Sequence, residues 1–158
     1  MVDIIEPITK FTDVLQGKPG VGNIFNVGLE GWKPEDGVKY DLIWTQWCVG
    51  HLPDDLLVEY FERCKSALAQ DGVMVIKENL STNGVDVFDD LDSSVTRYVY
   101  DPVMDEILTR NREDEKFLAL FKQAGLQVVR SDIQRGFPMV GNTALMPVKM
   151  YALKPAEG

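Results

Sequence analysis

The amino-acid sequence predicts an α/β domain: a mostly parallel sheet layered with helices and finished by an antiparallel hairpin. Three observations carry this. Short apolar segments of strand length alternate with segments of helical periodicity, the pattern of layered α/β folds. Tyr40-Asp41-Leu42-Ile43-Trp44-Thr45-Gln46-Trp47 is apolar at nearly every position, as expected of a strand covered on both faces. The last two apolar runs, Leu126 to Ser131 and Val148 to Leu153, have no helix between them, so they are expected to pair across a long loop.

Met1 to Ile5 reads as a strand. Pro7 to Gln16 reads as a weak helix with Phe11, Val14 and Leu15 on one face, broken by Gly17-Lys18-Pro19-Gly20. Asn23 to Val27 reads as a strand and Gly28 to Gly37 as a loop. Leu56, Leu57, Tyr60, Phe61, Cys64, Ala67 and Leu68 fall at helical spacing. Asp54 and Asp55 complement the dipole at the start of that helix, and Gly72 is expected to stop it. Val73 to Lys77 is the next strand. Glu78 to Arg97 is a long polar connection, and Tyr98 to Asn111 suggests a short helix through Val103, Ile107 and Leu108. Asp114 to Ala124 is a clear helix, with Phe117, Leu120, Phe121 and Ala124 inward and Gly125 as terminator.

At 158 residues the chain is one domain by size, long enough to bury about two thirds of its unfolded surface. Hydrophobic residues at 45% and charged residues at 26% describe a globular chain. The net charge of −9 argues against nucleic acid and mildly favours a basic ligand. Cys48 and Cys64, at the end of an apolar strand and on the apolar side of a helix, read as buried reduced thiols. No apolar run approaches membrane-spanning length, and Met1 to Pro7 lacks the regions of a signal peptide. A cytoplasmic or nuclear setting follows by default.

The segment with the most chemical content is Asp89-Asp90-Leu91-Asp92-Ser93-Ser94-Val95-Thr96-Arg97. It follows the apolar run Val73-Met74-Val75-Ile76, which ends in Lys77-Glu78-Asn79. Polar groups just past the carboxyl end of a buried strand mark the binding crevice of open α/β sheets. Clustered carboxylates there suit a cation that is recognised and deprotonated. A solvated acidic loop is the plainer reading. Calcium is disfavoured because the regular oxygen-ligand spacing of an EF-hand is missing, and no metal is expected. His51, the only histidine, is by itself more often a structural residue. Trp44 is expected in the core, and Trp47, of opposite parity, in the core or on a site wall.

Asp41 to Leu52, Lys77-Glu78-Asn79 and Asp89 to Arg97 closely resemble the protein α-N-terminal methyltransferases, which transfer methyl groups from S-adenosylmethionine to the α-amine of proteins beginning X-Pro-Lys. The resemblance implies a class I, Rossmann-like methyltransferase sheet, with S-adenosylmethionine as cofactor. Protein N-termini of ribosomal or chromatin type are the implied partners. It implies that Asp3 holds the cofactor ribose with Ile4 and Ile5 beside it, that Leu29 and Glu30 lie by the adenine, and that Gln46 touches the methionine part. It implies that Trp47 packs on the substrate proline, Asn79 grips the first peptide carbonyl, and Asp89 and Asp92 face the substrate lysine. His51 and Asp92 are the implied general bases, with Ser94 in support.

The chemistry asks for these types. A protonated amine has no lone pair for the sulfonium methyl. An α-amine titrates at about pH 8, and a carboxylate or histidine beside it can take its proton. The transfer itself is an in-line displacement that gains most from positioning.

The chain also departs from the family pattern. The glycine loop expected before Asp3 is missing, as are the first strand, the helix after it and the amino-terminal helices, so residues 1–158 are expected to form one incomplete domain. Gly17 to Gly22 is no substitute, since it follows a helix and not a strand. The strands of Ile4 and Ile43 are expected to pair directly or to lie apart with their edges open. Tyr98 to Asn111 reads as an insertion, and Met146 stands where the family has a tyrosine. Two alternatives accompany methyl transfer to protein N-termini: an inactive peptide-binding remnant, and a small-molecule methyltransferase of the same fold.

Overall fold

A computed structural model describes residues 1–81, 87–89, 100–101, 106–107, 109–136 and 147–157, with backbone alone at 87–89, 100–101, 106–107 and 109–111. β1 (Val2–Ile5) pairs in parallel with β2 (Val21–Phe25). Between them lie the short helix α1 (Thr9–Thr12) and a 3₁₀ turn, Asp13–Leu15. The main sheet has four strands. β3 (Tyr40–Gln46) runs parallel to β4 (Leu68–Asn79). β5 (Val87–Asp89), β6 (Tyr100–Asp101), β7 (Glu106–Ile107) and β8 (Thr109–Asn111) form two small pairs, β5 with β8 and β6 with β7. β9 (Leu126–Ile133) and β10 (Val148–Pro155) form the terminal antiparallel pair, with β10 inserted between β4 and β9.

Two helices, α2 (Asp54–Ala67) and α3 (Asp114–Gln123), cover one face of the four-stranded sheet. Ile43, Thr45, Met74, Ile76, Tyr151 and Leu153 point into this layer. The Tyr151 ring lies 5.2 Å from Phe121 and 5.7 Å from Phe117, and Phe61 of α2 lies 5.2 Å from Phe121, so aromatic rings weld both helices to the sheet. Thr45 and Tyr60 satisfy each other's hydroxyls at 2.9 Å inside this core. On the opposite face β3 is bare among the described residues. Leu42 is 55% and Trp44 52% exposed, so the strand is covered on one face only and Trp44 is not core. The apolar run misled because a near-continuous apolar strand says nothing of whether a second layer is present.

β1 and β3 share no strand pairing among the described residues, which agrees with the second expected arrangement. A polar contact links them: the Tyr40 hydroxyl donates to Asp3 Oδ2 at 2.8 Å, while Asp3 Oδ1 accepts the Asn23 N–H at 2.7 Å. Trp32, fully buried in the loop after β2, bridges the same region by contacts to Phe25, Tyr40 and Tyr60.

Several expected boundaries move. Pro7 to Gln16 is not one amphipathic helix, and Phe11 and Val14 are exposed. The second strand begins two residues earlier than expected, at Val21. Gly72 does not stop α2. The helix ends at Ala67 because the chain turns extended to pair Leu68 with Tyr40, and Gly72 lies inside β4, where a Cβ would sit 2.7 Å from the Tyr40 carbonyl oxygen. In the segment Tyr98 to Asn111 the described residues Tyr100–Asp101, Glu106–Ile107 and Thr109–Asn111 are strand, so Ile107, paired with Tyr100, is not helical as expected, while Val103 and Leu108 lie outside the described residues.

Candidate functional site

β3 and β4 end side by side, and the candidate residues gather at their carboxyl ends. Gln46 is the last residue of β3 and pairs with Lys77. Trp47 follows with φ of 52°, the left-handed region, the only positive φ outside glycine among the described residues. A bulky side chain there is strained, and such strain persists only where the surroundings hold it. Two contacts do so. The Trp47 N–H donates to the Lys77 carbonyl at 3.0 Å, and the Lys77 ammonium stands 4.9 Å from the indole centre. The kink leaves the indole 46% exposed at the mouth of the strands, which favours the site-wall alternative for Trp47.

The strained residue leads into a 3₁₀ turn, Val49–His51, that places a half-buried His51 beside it. Asn79, also half-buried, ends β4 opposite Val148 of β10. Trp47, the turn of His51 and Asn79 therefore all lie at the carboxyl end of the parallel pair. Cys48, between Trp47 and the turn, is a free thiol pushed up to about 12 by burial first and by the Glu78 charge second; Cys64 is likewise pushed up to about 12 by burial. Both are poor nucleophiles.

Sequence reasoning missed two residues beneath this turn. Glu78 is enclosed, and burial pushes its carboxyl up to about 7 against the N–H groups of Asn79, Val49 and Gly50 and the Arg112 charge, which pull it down. Oε1 accepts the Asn79 N–H at 3.0 Å, whereas Oε2 is buried without a hydrogen-bond partner of good geometry among the described residues. Arg112 is 0% exposed. Its Nε donates to Asp54 Oδ1 at 2.9 Å, its Nη1 to the Val49 carbonyl at 3.2 Å, and its Nη2 to the Leu52 carbonyl. The signal for Glu78 was available in the triplet Lys77-Glu78-Asn79. Arg112 carries no local signal, since its partners lie about sixty residues away.

The residues expected around the cofactor lie on other elements. Asp3, Ile4 and Ile5 belong to β1 and are half-buried. Leu29 and Glu30 sit in the loop after β2, their carbonyls held by Arg63 of α2 at 2.9 Å and 3.3 Å. The Gln46 amide oxygen accepts the Trp44 indole N–H at 3.2 Å. Asp3 already accepts two protein hydrogen bonds, but a carboxylate offers about four acceptor sites, so it retains capacity for a diol. A carboxylate with spare acceptor capacity is the residue type that a ribose diol needs.

Asp89 ends β5 opposite Thr109 of β8, and β8 lies beside the turn that carries His51. Asp89 is the last residue of that short strand, and Asp90 to Arg97 lie outside the described residues. Asp92, Ser94 and Met146 lie outside the described residues.

The chain matches, over residues 1–154, the family model described as AdoMet dependent proline di-methyltransferase. The chain belongs to this family. It is 41% identical over 158 residues to an α N-terminal protein methyltransferase 1 of Schizosaccharomyces pombe, covering 98% of this chain and 62% of that protein. It is 36% identical over 140 residues to an N-terminal Xaa-Pro-Lys N-methyltransferase 1-A of Xenopus laevis, covering 87% and 55%. A solved SAM-dependent methyltransferase of Leishmania major superposes with a TM-score of 0.75 at 31% identity, covering 96% of this chain and 54% of that one. A Burkholderia thailandensis 1,6-didemethyltoxoflavin-N1-methyltransferase, at TM-score 0.68 and 14% identity, shares the fold alone. The fold of this proline di-methyltransferase family member is thus that of a class I methyltransferase, and the chain spans roughly half to three fifths of the length of these relatives.

Proposed function

We propose that this protein takes part in methylation of the α-amine of proteins that begin X-Pro-Lys, with S-adenosylmethionine as methyl donor. The observation that supports the reading is a strained, open Trp47 at the carboxyl end of β3, followed by the turn of His51 and placed beside the strand that ends at Asn79. The names of the Schizosaccharomyces and Xenopus relatives support it.

In this reading the Trp47 indole takes the flat face of the substrate proline, and the Asn79 amide takes the first peptide carbonyl. Asp89 and Asp92 attract the substrate lysine, Ser94 supports the site, and the net charge of −9 draws the cationic peptide start. His51 and Asp92 take the ammonium proton, since only the neutral amine can attack. Asp3 accepts from the ribose hydroxyls, flanked by Ile4 and Ile5, with Leu29, Glu30 and Gln46 along the rest of the nucleoside and amino acid. S-adenosylmethionine, when bound, supplies an electrophilic methyl on sulfur. Ribosomal and chromatin-type proteins with such starts are the substrate class, met in the cytoplasm or nucleus.

Mass spectrometry of an X-Pro-Lys peptide incubated with the protein and S-adenosylmethionine tests this. The expected product carries methyl groups on the α-amine, and an X-Ala-Lys peptide reacts far less. No peptide product at high protein concentration, or turnover of a small amine with indifference to peptide, contradicts it.

A further inference from the structure

The short turn that carries His51 lies between two enclosed ionisable side chains. Arg112 donates to its outgoing carbonyls, those of Val49 and Leu52. On the other side the enclosed Glu78 carboxyl lies near its incoming N–H groups, those of Val49 and Gly50, with the Asn79 N–H alone bonded to it at good geometry among the described residues. The same Glu78 carboxylate accepts the Asn79 N–H, and the Arg112 carbonyl accepts the Ser81 N–H just beyond the end of β4. A single pair of enclosed side chains therefore ties the turn to the strand end across which the proposed substrate lies. Asp54 completes the arrangement. Burial opposes its charge, but hydrogen bonds from Lys116 and Arg112 outweigh this and hold its carboxyl below the usual range.

Burying charge is costly, and apolar packing often holds a fold as well or better. A buried pair that contacts backbone in the turn after a strained residue and at the neighbouring strand end fits a geometric task instead. Resting on the proposed peptide methylation, we infer that Glu78 and Arg112 are positioning residues that hold His51 and Trp47 in register with Asn79. Neither touches substrate. They act by denying the turn the freedom to slide, and a misplacement of about 1 Å at such a site costs on the order of 100-fold in rate.

Glu78→Gln keeps the side-chain shape and removes the charge. Arg112→Lys keeps the charge and cannot reach both carbonyls. Amide hydrogen exchange and two-substrate kinetics are measured on the unaltered protein and both variants. In Glu78→Gln the Val49 and Gly50 amides are expected to exchange on the order of tenfold faster, while those of α3 and β10 keep their rates. The KM for an X-Pro-Lys peptide is expected to rise about tenfold or more, with the KM for S-adenosylmethionine unchanged. Arg112→Lys is expected to move both readouts the same way, and it stands alone if Glu78→Gln fails to fold. Unchanged exchange in the turn overturns the inference. So does a fall in kcat that is matched by the loss of folded protein read from circular dichroism, with both KM values intact. A protein that transfers no methyl group sinks the proposed function, and the exchange measurement then decides the clamp by itself.

Discussion

Trp47 and Lys77 hold each other twice: the Trp47 N–H donates to the Lys77 carbonyl at 3.0 Å, and the Lys77 ammonium stands 4.9 Å from the Trp47 ring centre. The pairing joins the ends of two parallel strands and secures a residue whose φ of 52° works against it. Left-handed backbone costs a side-chain-bearing residue about 1–2 kcal/mol. An exposed cation–π contact returns about 0.5–1 kcal/mol.

These magnitudes predict that Trp47→Gly is close to neutral for stability, because relief of strain offsets the lost ring contact. A urea unfolding curve checks this. The same variant is expected to lose at least about 2 kcal/mol, roughly 30-fold, in kcat/KM for an X-Pro-Lys peptide, as removal of an aromatic anchor does.

Gly72→Ala places a methyl group 2.7 Å from the Tyr40 carbonyl oxygen, in backbone that cannot yield cheaply. The expected cost is about 1–3 kcal/mol, read from the urea midpoint. Tyr40 also donates to Asp3, so displacement of its backbone loosens the link between β1 and the main sheet.

Glu78 predicts a pH dependence of stability. An unfolded glutamate titrates at about 4.3, whereas burial pushes Glu78 up to about 7 in the folded protein. Between those values the native state holds a proton that the unfolded chain has released. Its contribution is therefore fully present below about pH 4.3 and is lost as pH rises through about 7. Glu78→Gln is expected to flatten this slope in unfolding midpoints measured across that range; an unchanged slope contradicts the assignment.

Asp114 predicts the opposite limb. Burial opposes its charge, but the Lys149 ammonium at 2.6 Å and the Tyr151 hydroxyl at 2.7 Å outweigh burial and hold its carboxyl below the usual range. Its contribution is present above the unfolded aspartate value of about 3.9 and is lost as pH falls through the lower folded value. Asp114→Asn is expected to shrink the loss of thermal stability in that acid range, and Lys149→Met to shrink it in part.

What the sequence disclosed and what it hid divide along physical lines. Helices α2 and α3 and the terminal hairpin were legible because Leu57, Phe61, Phe117 and Phe121 repeat at helical spacing and face one core. The bare face of β3 was not, because an apolar Trp44 reads the same under a second layer or in water. The end of α2 was hidden because Gly72 serves close backbone approach and not a helix cap. At the site, Trp47, His51 and Asn79 were named from the family resemblance, and the structure brings them to one strand end. The hold on them was illegible, since Arg112 reaches Val49 and Leu52 across some sixty residues and no local pattern encodes such a pairing.

His51 is the single histidine of the chain, so its imidazole Hε1 gives one unambiguous proton resonance. Titration of an X-Pro-Lys peptide into the isotopically labelled protein, followed on that resonance, tests the peptide site most directly. The account predicts a saturable shift with the free-amine peptide and little or none after its α-amine is acetylated. No shift with either peptide at high concentration would contradict it.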